Sequence, residues 1–571
     1  MIVGISRRFF IYFLTLTSSF VFGDVLNYVP DSAGFLLYVQ NIEEVSSKWK
    51  NHTLSSSIQL SSNGKEMWDD FLLEKEKGME SFKQLVDPFG GEFAFYLDLE
   101  TLSCCALLNS SEDINTLLSR INDMKSATSG SSAIPVEDEF KEEEHLGVRL
   151  FSSKKGEKRK VDVMDAFSFA LTEEVLIFSD SQELVKNSIY AIQKGLDSSI
   201  NDSSSFLDMI DTFEGRNADI WSFIDINKCI DTLFNHLELK GIKIPSNDFM
   251  VTNDSIRQGL ALDEIQSLFT LMNIEEEQIF MELGLSYRKE AGLIKMLAYT
   301  DKEVESPIFV PKDVFSSTIA NFSFPKFWSA LEESMKNISP QLFASYKMML
   351  SLSEAQLEMK IEEDLINNLG DQLASFSTIV PDSNGAVPQN EQLIALSLID
   401  QQSVEIAFNK ILMRMGGEDG GMISKEEYMG NSLYIMNAPT PQGQVSFALG
   451  NNTLYISMGD VGNLRRILSN LASDSKSLWN EDHLKQKTQD LFDAPVSLAY
   501  SDYSQLFELI NTNLFQNPQA MQFLNNAKNQ SGLNFAKMLE NMEIHAPFMA
   551  LGGIERSEGL IRSKGVIVPK K

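Results

Sequence analysis

Two Ser-x-x-Lys sequences, Ser62-Asn63-Gly64-Lys65 and Ser152-Ser153-Lys154-Lys155, have the residue types and spacing for acyl chemistry: serine as nucleophile, lysine as base. The pattern arises easily in a chain rich in Ser and Lys, and both matches sit in polar, turn-like stretches. Neither is carried forward as a catalytic pair. Cys104 and Cys105 are adjacent in an apolar strand-like run, so their side chains point to opposite faces. One disulfide to Cys229 is the most this set allows, with an odd thiol left over, and the simpler reading is three small apolar core residues. No Cys or His stands at zinc-ligand spacing, and there are 5 His in all. Gly416-Gly417-Glu418-Asp419-Gly420-Gly421 is a flexible loop without the regular oxygen spacing of a calcium site. G-x-S-x-G, G-x-G-x-x-G, G-x-x-x-x-G-K-[ST] and H-E-x-x-H are all missing. No catalytic, cofactor-binding or metal-ligating residue is therefore assigned. His145, matched by Tyr428 further along, reads as a strand-edge residue, and the basic run Lys154 to Lys160 reads as an exposed hairpin turn or a docking spot for an acidic partner.

The elements that would position any such chemistry follow one recurring plan. Gly34 to Val39 runs into Ile42-Glu43-Glu44-Val45 and Trp49, and Ala218 to Asp225 runs into Cys229 to Phe234. Ser316 to Asn321 leads to Phe327-Trp328, and Val496 to Asp502 leads to Leu506-Phe507. Each is an apolar strand, a polar turn and an amphipathic helix. The Asn, Asp and Ser of the turns suit helix N-caps, since their side chains accept from free backbone N–H groups. Phe93 to Leu99 and Cys104 to Leu108, separated by Glu100-Thr101, suit a hairpin, as do Leu283 to Tyr287 and Leu293 to Tyr299. Helical stretches include Trp68 to Val86 and Ile406 to Met413.

Self-similarity recurs over a longer range. Phe167-Ser168-Phe169-Ala170-Leu171 is echoed by Val445-Ser446-Phe447-Ala448-Leu449, roughly 280 residues further on. Glu143 to Gly147 and Glu426 to Gly430, Trp49 and Trp328, Gly90 and Gly370, and Gly284 and Gly552 keep the same order. The expected fold is therefore α+β, with two tandem duplicated halves, each an antiparallel sheet with packed helices. The halves are placed at 24–306 and 307–571, with the boundary at Pro307 to Pro311.

Residues 1–23 read as a signal peptide: Arg7 and Arg8, an apolar stretch from Phe9 to Phe22, and cleavage after Gly23. That stretch is short for a membrane span, and later apolar runs break on charge or Gly, so no transmembrane helix is expected in the mature chain. The net charge of −32 disfavours nucleic acid and anionic lipid surfaces, which need clustered Lys and Arg. The 38 Phe and 24 Met supply ample core and exclude a disordered chain.

The recurring apolar strand ending in Tyr or Asp before a helix, the acidic exported chain and the closing hairpin resemble an uncharacterised family of extracytoplasmic bacterial proteins, a domain of unknown function. The resemblance implies a periplasmic or secreted setting and brings no catalytic residues. The expected function is a non-enzymatic binding or structural protein of the bacterial envelope, its partner a protein or envelope component, with no cofactor. The competing readings are an extracytoplasmic hydrolase with a dispersed site and a carrier of an apolar ligand. A junction between halves near Pro307 to Pro311, with the units around Tyr38 and Ser317, is the expected place for a cleft.

Overall fold

The structure, a computed structural model, describes residues 25–53, 58–60, 91–110, 114–116, 118–119, 140–153, 168–240, 249–307, 309–380, 389–414, 423–440, 443–459, 461–473, 477–503, 542–544 and 548–570. The stretch expected to be a signal peptide, Ser62 to Lys65, Trp68 to Val86, Lys154 to Lys160, Gly416 to Gly421 and Leu506-Phe507 lie outside them. Two compact units are formed from non-consecutive stretches. One comprises Met1–Leu233, Gln266–Gly284 and Leu524–His545; the other comprises Phe234–Ile265, Leu285–Phe523 and Ala546–Lys571.

The first unit draws on strands β1 (Ala33–Val39), β2 (Phe93–Asp98), β3 (Ser103–Asn109), β4 (Phe140–His145), β5 (Val148–Ser153), β6 (Ser168–Leu171), β7 (Val175–Ser179), β8 (Ile220–Asp225) and β9 (Ile265–Ile274). A turn closed by Glu275 N–H to Gln278 O leads from β9 to β10 (Ile279–Tyr287). Antiparallel pairing runs β4-β5-β6-β7-β3-β2-β1-β8-β9. Trp221, Tyr96, Phe93, Phe151, Phe169, Phe206, Phe223 and Phe269 are its largest fully buried side chains. The polar turns cap helices as their residue types require. Asn41 Oδ1 accepts from Glu44 N–H at 2.9 Å to open α1 (Ile42–Asn51). Ser181 opens α2 (Gln182–Lys194), which lies on β6 and β7 and buries Leu184, Val185 and Ile189. After α3 (Ser204–Thr212), Asp225 Oδ1 accepts from Lys228 N–H at 3.0 Å at the start of α4 (Ile226–Leu239). A separate two-stranded ribbon pairs Ile58–Leu60 with Met542–Ile544.

The second unit holds α5 (Asn253–Gly259), α6 (Gly292–Met296), β11 (Ser316–Asn321), α7 (Phe324–Ile338), α8 (Pro340–Leu357), β12 (Leu369–Val380), β13 (Gln389–Leu398) and α9 (Gln401–Arg414). It continues with β14 (Ile423–Tyr428), β15 (Asn431–Thr440), β16 (Gly443–Gly450), β17 (Thr453–Met458), α10 (Val461–Ser473), α11 (Asp482–Leu491), β18 (Ser497–Asp502), β19 (Phe548–Ser557) and β20 (Leu560–Pro569). Pairing runs β14-β15-β16-β17-β13-β12-β11-β18-β19-β20. Its core gathers Ile319, Phe376, Leu393, Tyr455, Leu464 and Trp479.

The expected pair of tandem duplicated halves, each an α+β domain with its own antiparallel sheet, is corrected by this topology. The twenty strands β1–β20 belong to one antiparallel sheet. The recurring sequence patterns mark local strand–turn–helix units, and such units do not specify which strand edges stay open. An exposed edge carries a row of unpaired N–H and C=O groups, so pairing it extends the sheet. A second correction concerns Leu293 to Tyr299, expected to be a strand. Gly292 has φ +49° and Leu293 N–H bonds to Leu260 O, which turns the chain into the short helix α6. Among the described residues, no helix is long and apolar enough to cross a membrane.

Candidate functional site

The sequence-selected residues resolve into packing. Tyr38 is buried and stacks on Trp221 with ring centroids 4.9 Å apart. Ser317 is buried and accepts from Trp479 Nε1–H at 3.0 Å. The proline stretch is fastened inside the second unit: Pro307 O accepts from Ser477 Oγ at 2.6 Å, and Val310 O accepts from Leu478 N–H at 2.9 Å. Ser152 Oγ accepts from Ser168 Oγ at 3.1 Å across β5 and β6, a structural hydroxyl contact. His145 ends β4, where Glu143 pairs with Lys186 at 2.6 Å, and Tyr428 OH lies 3.0 Å from Ser469 Oγ.

All three cysteines are free. Burial pushes the Cys104 and Cys229 thiols up to about 11 and Cys105 up to about 12, so they stay protonated near neutrality. Sequence reasoning missed the polar group around Cys105. Ser188 Oγ donates to Leu184 O at 2.9 Å and lies 3.2 Å from Tyr96 OH and 3.6 Å from Cys105 Sγ. Tyr96, Cys105 and Ser188 are all buried, so this network fixes α2 on the sheet and meets no solvent. Among the described residues, no group of three or more His, Cys, Asp or Glu is arranged to hold a metal ion.

A different region stands out in the second unit: the helices α5 to α9. Ser339 serves both sides of a helix break. Its N–H bonds to Met335 O at 3.0 Å to close α7, and its Oγ accepts from Leu342 N–H at 3.1 Å to open α8. Pro340 takes the first position of α8, where its missing N–H costs nothing. The Ser339 hydroxyl also bonds to Phe249 O. α7 is pressed onto α5, because a Cβ at Gly259 would collide with Ile338, and is tied to α6 by Lys295 to Glu333 at 2.5 Å.

α8 is fixed to α7 by polar and aromatic contacts. Glu332 Oε1 accepts from Lys347 Nζ at 2.6 Å and from Tyr346 OH at 3.2 Å. The Tyr346 ring lies 6.3 Å from Trp328 and 6.2 Å from Phe343. Partial desolvation first, then the Glu332, Glu362 and Glu354 carboxylates, push the half-buried Tyr346 hydroxyl well above its ordinary value, so it remains a donor. None of the 18 residues of α8 is buried. Met348, Met349 and Leu352, on adjoining turns of its outer side, are 62%, 66% and 58% exposed. Glu358 ends the helix in the left-handed region at φ 52°, followed by a π-helical turn, Ile361–Leu365. Glu354 holds that turn through Lys360 Nζ and Ile361 N–H, both at 3.0 Å.

α9 runs beside the end of α8, where Lys410 Nζ donates to Glu358 O at 2.5 Å. α9 buries Val404, Ala407 and Leu412. Ile406 and Met413 stay exposed on the stripe that carries Lys410, and Ile399 is exposed just before the helix. Two lysines stand against five carboxylates between Pro340 and Asn368, and both lysines are already engaged by Glu332 or Glu354. The arrangement is an apolar, methionine-bearing helical face with an acidic rim at its C-terminal end. The signal in the sequence is Met348-Met349-Leu350 within an 18-residue helix that carries Lys347 and Glu354 as its only charges.

No protein-family model matches the chain, and no curated protein matches it. Solved structures of TP0453 are similar at 10% identity. Crystal form IV covers 46% of this chain and 80% of that one with a TM-score of 0.24. Crystal form III covers 50% and 90%, also with a TM-score of 0.24.

Proposed function

We propose that this protein is exported to the bacterial envelope and acts by binding a partner protein there. Export rests on the Arg7-Arg8 pair and the apolar stretch Phe9 to Phe22. The observation that supports binding is α8: a full-length helix with no buried residue that holds Met348, Met349 and Leu352 in solvent. Scattered exposed apolar residues are ordinary on any surface, but Met348, Met349 and Leu352 adjoin on one helix face and form a patch of the kind that marks interaction sites. Methionine suits such a surface because its unbranched, polarisable side chain adapts to differently shaped partners.

The experiment places a photo-crosslinking side chain at Met349 in the producing cells, with Tyr190, an exposed aromatic of α2, as the control position. A discrete adduct from position 349 and none from position 190 is the expected result. No adduct, or the same adducts from both positions, contradicts binding at α8. N-terminal sequencing of the envelope fraction tests export, and a cytosolic chain beginning at Met1 contradicts it.

A further inference from the structure

We propose that the α8–α9 face receives a basic amphipathic helix of another protein, an inference that rests on the binding role given above. Length, chemistry and charge each constrain the occupant. α8 has 18 residues and is about 27 Å long, and Met348, Met349 and Leu352 stand exposed over about 6 Å near its middle, so an occupant meets them with one or two turns of helix. Its apolar residues recur with helical spacing, as do Ile406 and Met413 of α9, so the surface presents ridges rather than a strand edge with free backbone groups. An amphipathic helix buries its apolar stripe on such a surface through positions three and four apart.

Charge selects among amphipathic helices. Glu358 ends α8, and Glu363 lies exposed in the π-helical turn that follows. Lys347 and Lys360 are paired with Glu332 and Glu354 and Lys410 donates to the Glu358 carbonyl, which leaves Glu358, Glu362, Glu363 and Asp364 against Lys410 and Arg414, a net acidic rim. A partner with Lys or Arg beside its apolar stripe gains from that rim. A second copy of this chain does not, because each carries a net charge of −32, and anionic lipid is repelled for the same reason.

The probe is a fluorescein-labelled amphipathic peptide of about 18 residues built from Leu and Lys, read by anisotropy against the full-length protein. A peptide of identical composition with its apolar stripe scrambled is the comparison. Saturable one-to-one binding is expected, weakened about tenfold by scrambling and by Met348→Ser/Met349→Ser/Leu352→Ser. Glu358→Lys/Glu363→Lys is expected to weaken binding severalfold and to flatten its salt dependence. Tyr190→Ser is expected to bind as the parent does. Since the three serine substitutions lie on exposed positions, circular dichroism should report an unchanged fold.

Equal binding of the scrambled peptide, or of the Met348/Met349/Leu352 variant, reduces the effect to general attraction by an acidic chain and overturns the proposal. So does capture of phosphatidylglycerol vesicles, or dimerisation that the same variant abolishes. The peptide is then added to the cross-linking experiment. Loss of the position-349 adduct supports the proposal. An adduct that persists at saturating peptide leaves the binding role standing and overturns the class of partner.

Discussion

Lys347 Nζ lies 2.6 Å from Glu332 Oε1, and this contact joins the exposed helix α8 to α7. The glutamate side chain is 16% exposed and the lysine 37%, so solvent screens part of the attraction. A double-mutant cycle with Glu332→Gln and Lys347→Met is expected to give a coupling of about 0.5–1 kcal/mol in chemical denaturation. A coupling indistinguishable from zero contradicts an anchoring role for the pair.

Gly284 sits where Phe213 crosses its strand, and a Cβ there would run into the Phe213 ring. The Gly284→Ala substitution forces that ring to move and is expected to cost about 1–3 kcal/mol. Adding Phe213→Leu should recover part of the loss, because the two residues share one space. Independent, additive effects contradict the contact.

His52 is buried and stacks on Trp49 at 6.1 Å. Burial pushes its pKa down against a hydrogen bond with the Gln278 backbone, so the folded protein favours the neutral ring. The unfolded value is about 6.5, so the group leaves stability untouched above that pH and removes it as pH falls toward the folded value. Wild type and His52→Gln are compared by denaturation between about pH 7.5 and about pH 5. Wild type is expected to lose more stability across that range. Parallel curves contradict a buried neutral histidine.

Cys104, Cys105 and Cys229 are free, with thiols raised to about 11, 12 and 11. Intact mass is expected to be the same with and without reductant. Alkylation of the native protein near neutrality is expected to be slow for all three and fast after unfolding. A Cys104–Cys229 bridge, or one thiol modified at the rate of a free peptide, contradicts this.

The legible part of the sequence was local. Asn41 and Asp225 cap helices because their short carboxyl and amide groups reach free N–H groups, a demand visible in residue type alone. The runs at Phe169 and Phe447 alternate as strands, and each pairs with its neighbour, Phe169 with Phe178 and Phe447 with Ile456. Strand partnership was less legible, since apolar alternation says which face is buried and nothing about which edge is met. Gly292 shows the limit at a single residue. Its positive φ and the Leu293 to Leu260 bond turn an apolar run into a helix. Tyr38 and Ser317 looked like cleft residues because of their place in the chain, but Trp221 and Trp479 claim them for the cores. The face on α8 was open to inspection as Met348-Met349 in an uncharged stretch, yet exposure depends on what packs beside a helix, which periodicity does not record.

Hydrogen–deuterium exchange of the full-length protein with the Leu/Lys peptide tests the binding face most directly. Saturating peptide is expected to slow exchange in 340–357 and 401–414 while β1 and β8 exchange as before. Protection spread evenly over the acidic surface, or absent from 340–357, would contradict a partner site on α8.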